Sequence, residues 1–361
     1  GEPGRQGIHG ATVHSLCSAR LITAMTYESP PVTDSAPHPP DSSPDLPETP
    51  PEPDAHRPPR KTSEHGAPSV GAAIEDRFDT VEVFKRVIVA ADEEINTKAR
   101  TLFFSGLAAG FSVTLTVLLY ASMMAATGGD PILGALLYPI GFIYIILGGY
   151  NLYTEDTLPP VALVLERLAS LPALFRVWGV VLAGNFIGGG CGALLLATTN
   201  VLSPEAATAA TEISMKGLQT PFGDLFFKAL VAGFVVAGVV WLNFTARSVT
   251  GRFLLTYVAF LCIPYGNLYH VVVSFTELTF LTIGGHAAFV PGFLGFVLPV
   301  VLGNTAGGVI LVTVVNYFQT TERRLIAARG GTERQLSMPE VFFGGLVGRS
   351  YVPVRQVDHA D

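Results

Sequence analysis

Between residues 101 and 320 the chain holds only 14 of its 51 Asp, Glu, Lys and Arg residues. A water-soluble core does not explain a stretch that long and that poor in charge, whereas a bundle of membrane helices does. Over the whole chain 14% of residues are charged, against about a quarter in soluble proteins. The mean hydropathy is +0.44 even though one end is plainly polar.

That polar end is the N-terminal one. Residues 30–59 contain 12 of the 26 prolines, mixed with Ser, Asp, Glu and Thr. Such a segment cannot bury enough surface to offset the entropy of ordering, so residues 1–68 are expected to be a disordered, Pro-rich region. Residues 16–26 are too short and too polar for a signal peptide. Residues 69–100 read as a cytoplasmic amphipathic helix at the membrane surface, with Val81, Phe84, Ile88 and Ala91 at helical spacing. Residues 101–320 are expected to form a six-span transmembrane domain, and 321–361 a cytoplasmic tail.

Six apolar segments follow one another at roughly 101–125, 133–165, 175–198, 223–243, 252–281 and 291–318. Each is long enough to cross a hydrocarbon core of about 30 Å at ~1.5 Å per residue. The second is interrupted by Gly148, Gly149, Pro159 and Pro160, and the fifth by Pro264 and Gly266. Lys98, Arg100, Arg167, Arg176, Arg247, Arg252, Arg323, Arg324 and Arg329 fall on one side if both termini are cytoplasmic, which leaves Lys216 and Lys228 on the other.

The spans contain a repeat. Residues 107–111 (LAAGF) echo 230–234 (LVAGF), Asn151-Leu152-Tyr153 echoes Asn267-Leu268-Tyr269, and Gly184-Asn185 echoes Gly303-Asn304. The offsets are 123, 116 and 119 residues. A unit of three spans must enter the membrane from the opposite side the second time, so the repeat is inverted. Broken helices at matching positions of two such halves mark a translocation path, since irregular backbone survives at that depth only beside protein or a water-filled cavity. The expected fold is all-α, six transmembrane helices in two inverted triplets with the second and fifth broken. The recurring glycines serve close helix packing.

Few residues in the spans carry chemistry. His270 lies just past the second break inside an apolar run, where an ionisable group is costly and usually functional. Ser274 and Glu277 follow on the same helix face. The competing reading is a buried His270–Glu277 pair that only holds helices together. Thr154, Glu155 and Asp156 occupy the matching break. Thr154 suits a bond to backbone or solute, and the two carboxylates suit either the pathway or the cap of a helix N-terminus. Lys216 is an isolated outer cation, equally readable as a rim lysine, and Lys228 is placed to snorkel. No nucleotide loop, nucleophile elbow or metal-ligand cluster is present, so no cofactor, no metal and no enzymatic activity are expected. The net charge of −7 and the lack of a basic aromatic patch argue against nucleic acid. Cys17, Cys191 and Cys262 form no disulfide framework.

Taken jointly, four places resemble the formate/nitrite transporter family over residues 80–320. They are Asn151-Leu152-Tyr153-Thr154 with Thr157-Leu158, Lys216 at its distance before Trp241, residues 263–270, and residues 303–308 (GNTAGG). The resemblance implies an aquaporin-like fold with one pore per protomer of a homopentamer. It also implies that His270 is the central pore histidine, Lys216 the outer-vestibule lysine and Thr154 the threonine bonded near that histidine, with Leu152 and Ile263 at the apolar constrictions. The sequence departs from the family's pattern at Val273 and Ser274, and Glu155, Asp156 and Glu277 bring carboxylates close to a path for anions. The expected activity is channel or transporter passage of a small monovalent weak-acid anion across the inner (plasma) membrane, with or without a proton. The alternatives are a neutral solute or a cation on the same fold, or a non-conducting scaffold or sensor.

Overall fold

Apolar length and proline placement decide the elements. In the computed structural model, residues 80–319 and 335–345 are described, so the expected Pro-rich region and most of the tail lie outside the described residues. Helix α1 spans Thr80–Asn96, and α2 (Ala99–Ala126) is the first apolar rod, its 28 residues amounting to about 42 Å. The second segment is divided into α3 (Pro131–Ala135), α4 (Ile140–Gly148) and α5 (Pro159–Leu165). Helix α6 (Leu171–Thr198) follows, then the outer helix α7 (Pro204–Leu218) and α8 (Phe222–Thr245). The fifth segment is α9 (Val249–Tyr265) and α10 (Val271–Ile283). The last rod, α11, runs over Phe289–Gln319, and a short α12 (Met338–Phe343) ends the described chain.

Five of these helices are long and apolar enough to cross a membrane, among them the Pro131–Gly148 stretch of α3 and α4; α9 and α10 are shorter apolar helices. The fifth expected segment thus consists of α9 and α10 in series, neither long enough alone. Serine caps open the rods where the chain turns: Ser170, Ser203 and Ser248 accept from the backbone N–H of Ala173, Ala206 and Gly251.

The two halves pack alike. Helix α2 lies along α6, and α8 along α11. A Cβ on Gly188 would stand 2.1 Å from the Leu107 carbonyl oxygen, and one on Gly307 would stand 1.9 Å from that of Leu230. Each glycine thus admits a neighbouring backbone that any side chain would exclude.

Both breaks have one backbone design. Gly149 and Asn267 adopt φ of +67° and +51°. One residue later, Tyr150 N–H bonds Ile145 O at 3.0 Å and Leu268 N–H bonds Ile263 O at 2.9 Å. Farther on, Arg167 and Gly285 share φ of +58° and +75°. All these pairs are 118 residues apart, not the 116 expected from the repeated Asn-Leu-Tyr. The letters coincide, but the left-handed residue that closes each helix sets the register. On that register His270 corresponds to Leu152.

The breaks also differ in length. Helix α10 starts directly after His270, whereas residues 149–158 stay irregular until Pro159 and Pro160 open α5. A proline lacks the N–H for an interior turn and disfavours helix in the residue before it.

Helix α1 is held more firmly than a solvated surface helix. Val83, Phe84, Val87, Ala91 and Ile95 are buried, and Phe84 lies 6.4 Å from the Trp241 ring and 6.3 Å from the Tyr317 ring. Of the expected face, Phe84 and Ala91 are at its centre and Ile88 at its edge. Arg176 donates to the carbonyls of Ile95 and Thr97, fixing the end of α1 on α6.

Candidate functional site

His270 is the N-cap residue of α10 and is 1% exposed. The helix places it through its backbone: Asn304 Oδ1 accepts from Val271 N–H at 2.8 Å, and Asn304 Nδ2 donates to Tyr269 O at 3.0 Å and to Ala229 O at 2.8 Å. The peptides on either side of the imidazole are thereby clamped by one amide. Asn185 does the same in the other half, bonding Tyr153 N–H at 2.9 Å, Asn151 O at 3.0 Å and Gly106 O at 2.8 Å. Neither asparagine was assigned a role from sequence. The signal was available, since an amide in the middle of an apolar span is costly unless it is fully bonded.

The imidazole joins the two breaks. Its Nε2 lies 2.8 Å from Thr154 Oγ1, while Nδ1 has no hydrogen-bond partner. Phe142 stands edge-on to it with ring centroids 4.9 Å apart, and Phe260 stacks on Phe142 at 3.9 Å. These two rings were not singled out in sequence, because nothing in the letters distinguishes them from other span phenylalanines. The competing reading, a His270–Glu277 pair, does not form: Nε2 bonds Thr154 and Nδ1 has no partner.

Above His270 opens a cavity of about 620 Å³. His270, Ser274 and Glu277 line it from one face of α10, and Lys216 lines it from α7. Ser274 Oγ is buried without a partner and Glu277 is 8% exposed. Glu205 and Glu212 share the wall with Lys216, so this vestibule carries both signs of charge. Lys228 Nζ lies 5.8 Å from the Tyr269 ring centroid.

The other candidates lie elsewhere. Leu152 and Ile263 are buried in the apolar core, and neither lines the cavity. Asn151 is tied through its N–H to Ser105 Oγ at 2.8 Å. Glu155 and Asp156 do not cap α5, whose N-cap residue is Leu158 with no side-chain bond. Asp156 is 4% exposed, its Oδ2 unpartnered and its carbonyl bonded by Trp178 Nε1 at 2.9 Å. It faces Glu94 of α1, outside the spans, whose carboxyl is pushed well above the usual carboxylate range by burial first and then by Asp156 and Glu155. Among the described residues no cluster of His, Cys, Asp and Glu is suited to a metal ion.

Two helix breaks meeting at one buried imidazole, inside a repeat of apolar rods, define a membrane channel or transporter of the aquaporin-like class. The sequence profile of the formate/nitrite transporters matches residues 81–318. The inner membrane protein YfdC of Escherichia coli K12 is 27% identical over 271 residues, covering 72% of this chain and 87% of that protein. Among solved structures, an FNT family ion channel superposes with a TM-score of 0.61 at 20% identity, covering 66% of this chain and 98% of that one. A pentameric formate channel with formate bound gives 0.53 at 21% identity, covering 62% and 98%. The chain belongs to the formate/nitrite transporter family.

Proposed function

We propose that this protein passes a small monovalent weak-acid anion of the formate or nitrite kind, crossing with a proton as the neutral acid. One observation carries the reading: a lone imidazole, bonded to Thr154 of the opposite break, closes the floor of a vestibule whose wall bears Lys216. A bare anion squeezed past the Phe142 and Phe260 rings would lose its hydration at a cost of many kcal/mol. Lys216 concentrates the anion, protonation removes its charge, and His270 supplies the hydrogen bond that replaces water.

Proteoliposomes loaded in turn with formate, nitrite, acetate and lactate test this. Flux of at least one should fall sharply with His270→Ala, and unchanged flux for all four would defeat the proposal. A second reading, passage of a neutral solute or a cation, draws on Glu205, Glu212 and Glu277 in the same wall. Reversal potentials in a salt gradient separate the two, because anion and cation paths shift oppositely.

The remaining placement follows the same reasoning. The family and the pentameric relative support a homopentamer in the lipid bilayer, and YfdC's name supports the inner membrane. Lys98, Arg100, Arg167, Arg247 and Arg252 at the rod ends favour an orientation with both termini in the cytoplasm. Neither an enzymatic reaction nor a cofactor enters this scheme.

A further inference from the structure

We propose that Glu277 is the proton donor of the pathway, giving its carboxyl proton to the weak-acid anion in the vestibule before the solute reaches His270. The inference rests on the weak-acid reading above and names the group that makes it work.

The geometry separates this role from a structural one. Buried carboxyls that hold helices together are hydrogen-bonded or paired with a cation. Glu277 is 8% exposed and makes neither kind of contact; the ion pair within 4 Å among the described residues is Arg86–Glu82 on α1. Its side chain lines the same cavity as Lys216, yet no bridge joins the two. A carboxylate left there without a counter-ion would be costly and would repel an incoming anion. The carboxyl form instead offers an O–H donor to that anion.

The same helix face extends the path. Ser274 Oγ and His270 Nδ1 follow at one-turn intervals, both buried, both without a partner, both on the cavity wall. Unsatisfied polar atoms in so buried a place are rare in a folded chain. With the Glu277 carboxyl above them, these two atoms form a ladder of hydrogen-bonding positions leading from the vestibule to the break. The charged and titratable groups facing Glu277 across the cavity are Tyr120 of α2, Tyr138 between α3 and α4, Glu205, Glu212 and Lys216 of α7, and Tyr269 of the break. Lys216 is the single cation among them, and it sits where it draws the anion in.

In the step itself the O–H bond of Glu277 breaks and its proton moves to an oxygen of the solute. The solute leaves as the neutral acid and Glu277 is left as carboxylate. A proton from vestibule water restores it, and no electron changes hands.

The test is formate entry into vesicles of the full-length protein, read by a pH dye in the lumen as a function of external pH. Glu277→Gln keeps the shape and a donor but cannot release a proton. It should slow formate-driven acidification by about 100-fold, the lower end of what a positioned general acid supplies, and flatten the pH profile. Glu277→Asp should restore part of the rate and show a displaced profile. Wild-type rate in Glu277→Gln overturns the proposal, as does equal slowing in both variants, which would mark a role in shape alone. Should Glu277→Gln fail to fold, an undisplaced profile in Glu277→Asp is the overturning result. Failure of the wild-type protein to pass any of the four anions would instead refute the weak-acid reading itself.

Discussion

Removing the Asn304 amide tests the clamp around the imidazole most directly. The side chain is fully buried, and its three bonds of 2.8, 3.0 and 2.8 Å go to Ala229 O, Tyr269 O and Val271 N–H. Asn304→Ala leaves the Tyr269 carbonyl and the Val271 N–H without partners, while Ala229 O keeps its bond within α8. At ~1–3 kcal/mol for each buried orphan the loss is about 2–6 kcal/mol. Hydrogen bonds between membrane helices often measure nearer ~0.6 kcal/mol each, which sets a floor of about 2 kcal/mol. The matching substitution, Asn185→Ala, removes bonds of 2.8, 3.0 and 2.9 Å to Gly106 O, Asn151 O and Tyr153 N–H. Both variants should therefore lose comparable thermal stability in detergent, read as loss of the folded peak on size exclusion after heating. Formate flux of the surviving protein should differ. Asn304 fixes the peptides flanking His270, whereas Asn185 flanks Leu152 and reaches the imidazole only through neighbouring Thr154. Asn304→Ala should thus lose more flux than Asn185→Ala at equal stability. Wild-type unfolding temperature in Asn304→Ala, or equal flux loss in the two variants, would refute the reasoning.

Gly307→Ala and Gly188→Ala drive a methyl into backbone carbonyls 1.9 and 2.1 Å away, so each should cost about 1–3 kcal/mol in thermal unfolding. Gly179→Ala, with nothing within 4 Å, should instead be neutral or stabilising by up to ~1 kcal/mol. Phe142→Ala removes the ring between Phe260 and His270 and should raise lactate flux relative to formate; an unchanged ratio in liposomes counts against a constriction there. The Glu94 carboxyl is raised well above its reference value of 4.5 by burial and its acidic neighbours, so the docked state binds the proton more tightly than the undocked one. Docking of α1 should then weaken as pH rises above 4.5. Protection factors against hydrogen exchange in residues 80–96, corrected for the intrinsic pH dependence of amide exchange, should fall over that range in the wild type and fall less in Glu94→Gln.

What could be read in the sequence follows from what each residue costs in a membrane. The rods were legible because crossing lipid demands an unbroken apolar length, and the repeat because glycines that admit a backbone cannot be replaced without moving a helix. His270 was legible because an imidazole amid Val271, Val272 and Val273 needs a reason to be there. The register of the breaks was not. Asn-Leu-Tyr recurs at 116, but the chain closes its helices on Gly149 and Asn267, and φ is a property no letter other than glycine announces. Nor was the centre of α1's apolar face, where Val81, Val83, Phe84, Val87 and Ile88 permit more than one stripe and contact with Trp241 and Tyr317 decides between them.

The phenylalanines at the imidazole expose the limit most clearly. Phe142 and Phe260 lie in segments where apolar side chains face lipid, core and path alike, so their identity says nothing about which. Only the rotation of α4 and α9 about their axes puts those rings against His270, and that rotation is set by distant contacts. One of these is Gly141 in α4, whose Cβ position would come 2.3 Å from Thr116 Oγ1 of α2. In a soluble enzyme a polar cleft stands out against an apolar core, but here the vestibule alone does so, and the rings beside His270 share the composition of the core. Polar residues inside the spans therefore reveal themselves one at a time through their cost, whereas the apolar residues packed beside His270 emerge only once every rod has a fixed neighbour.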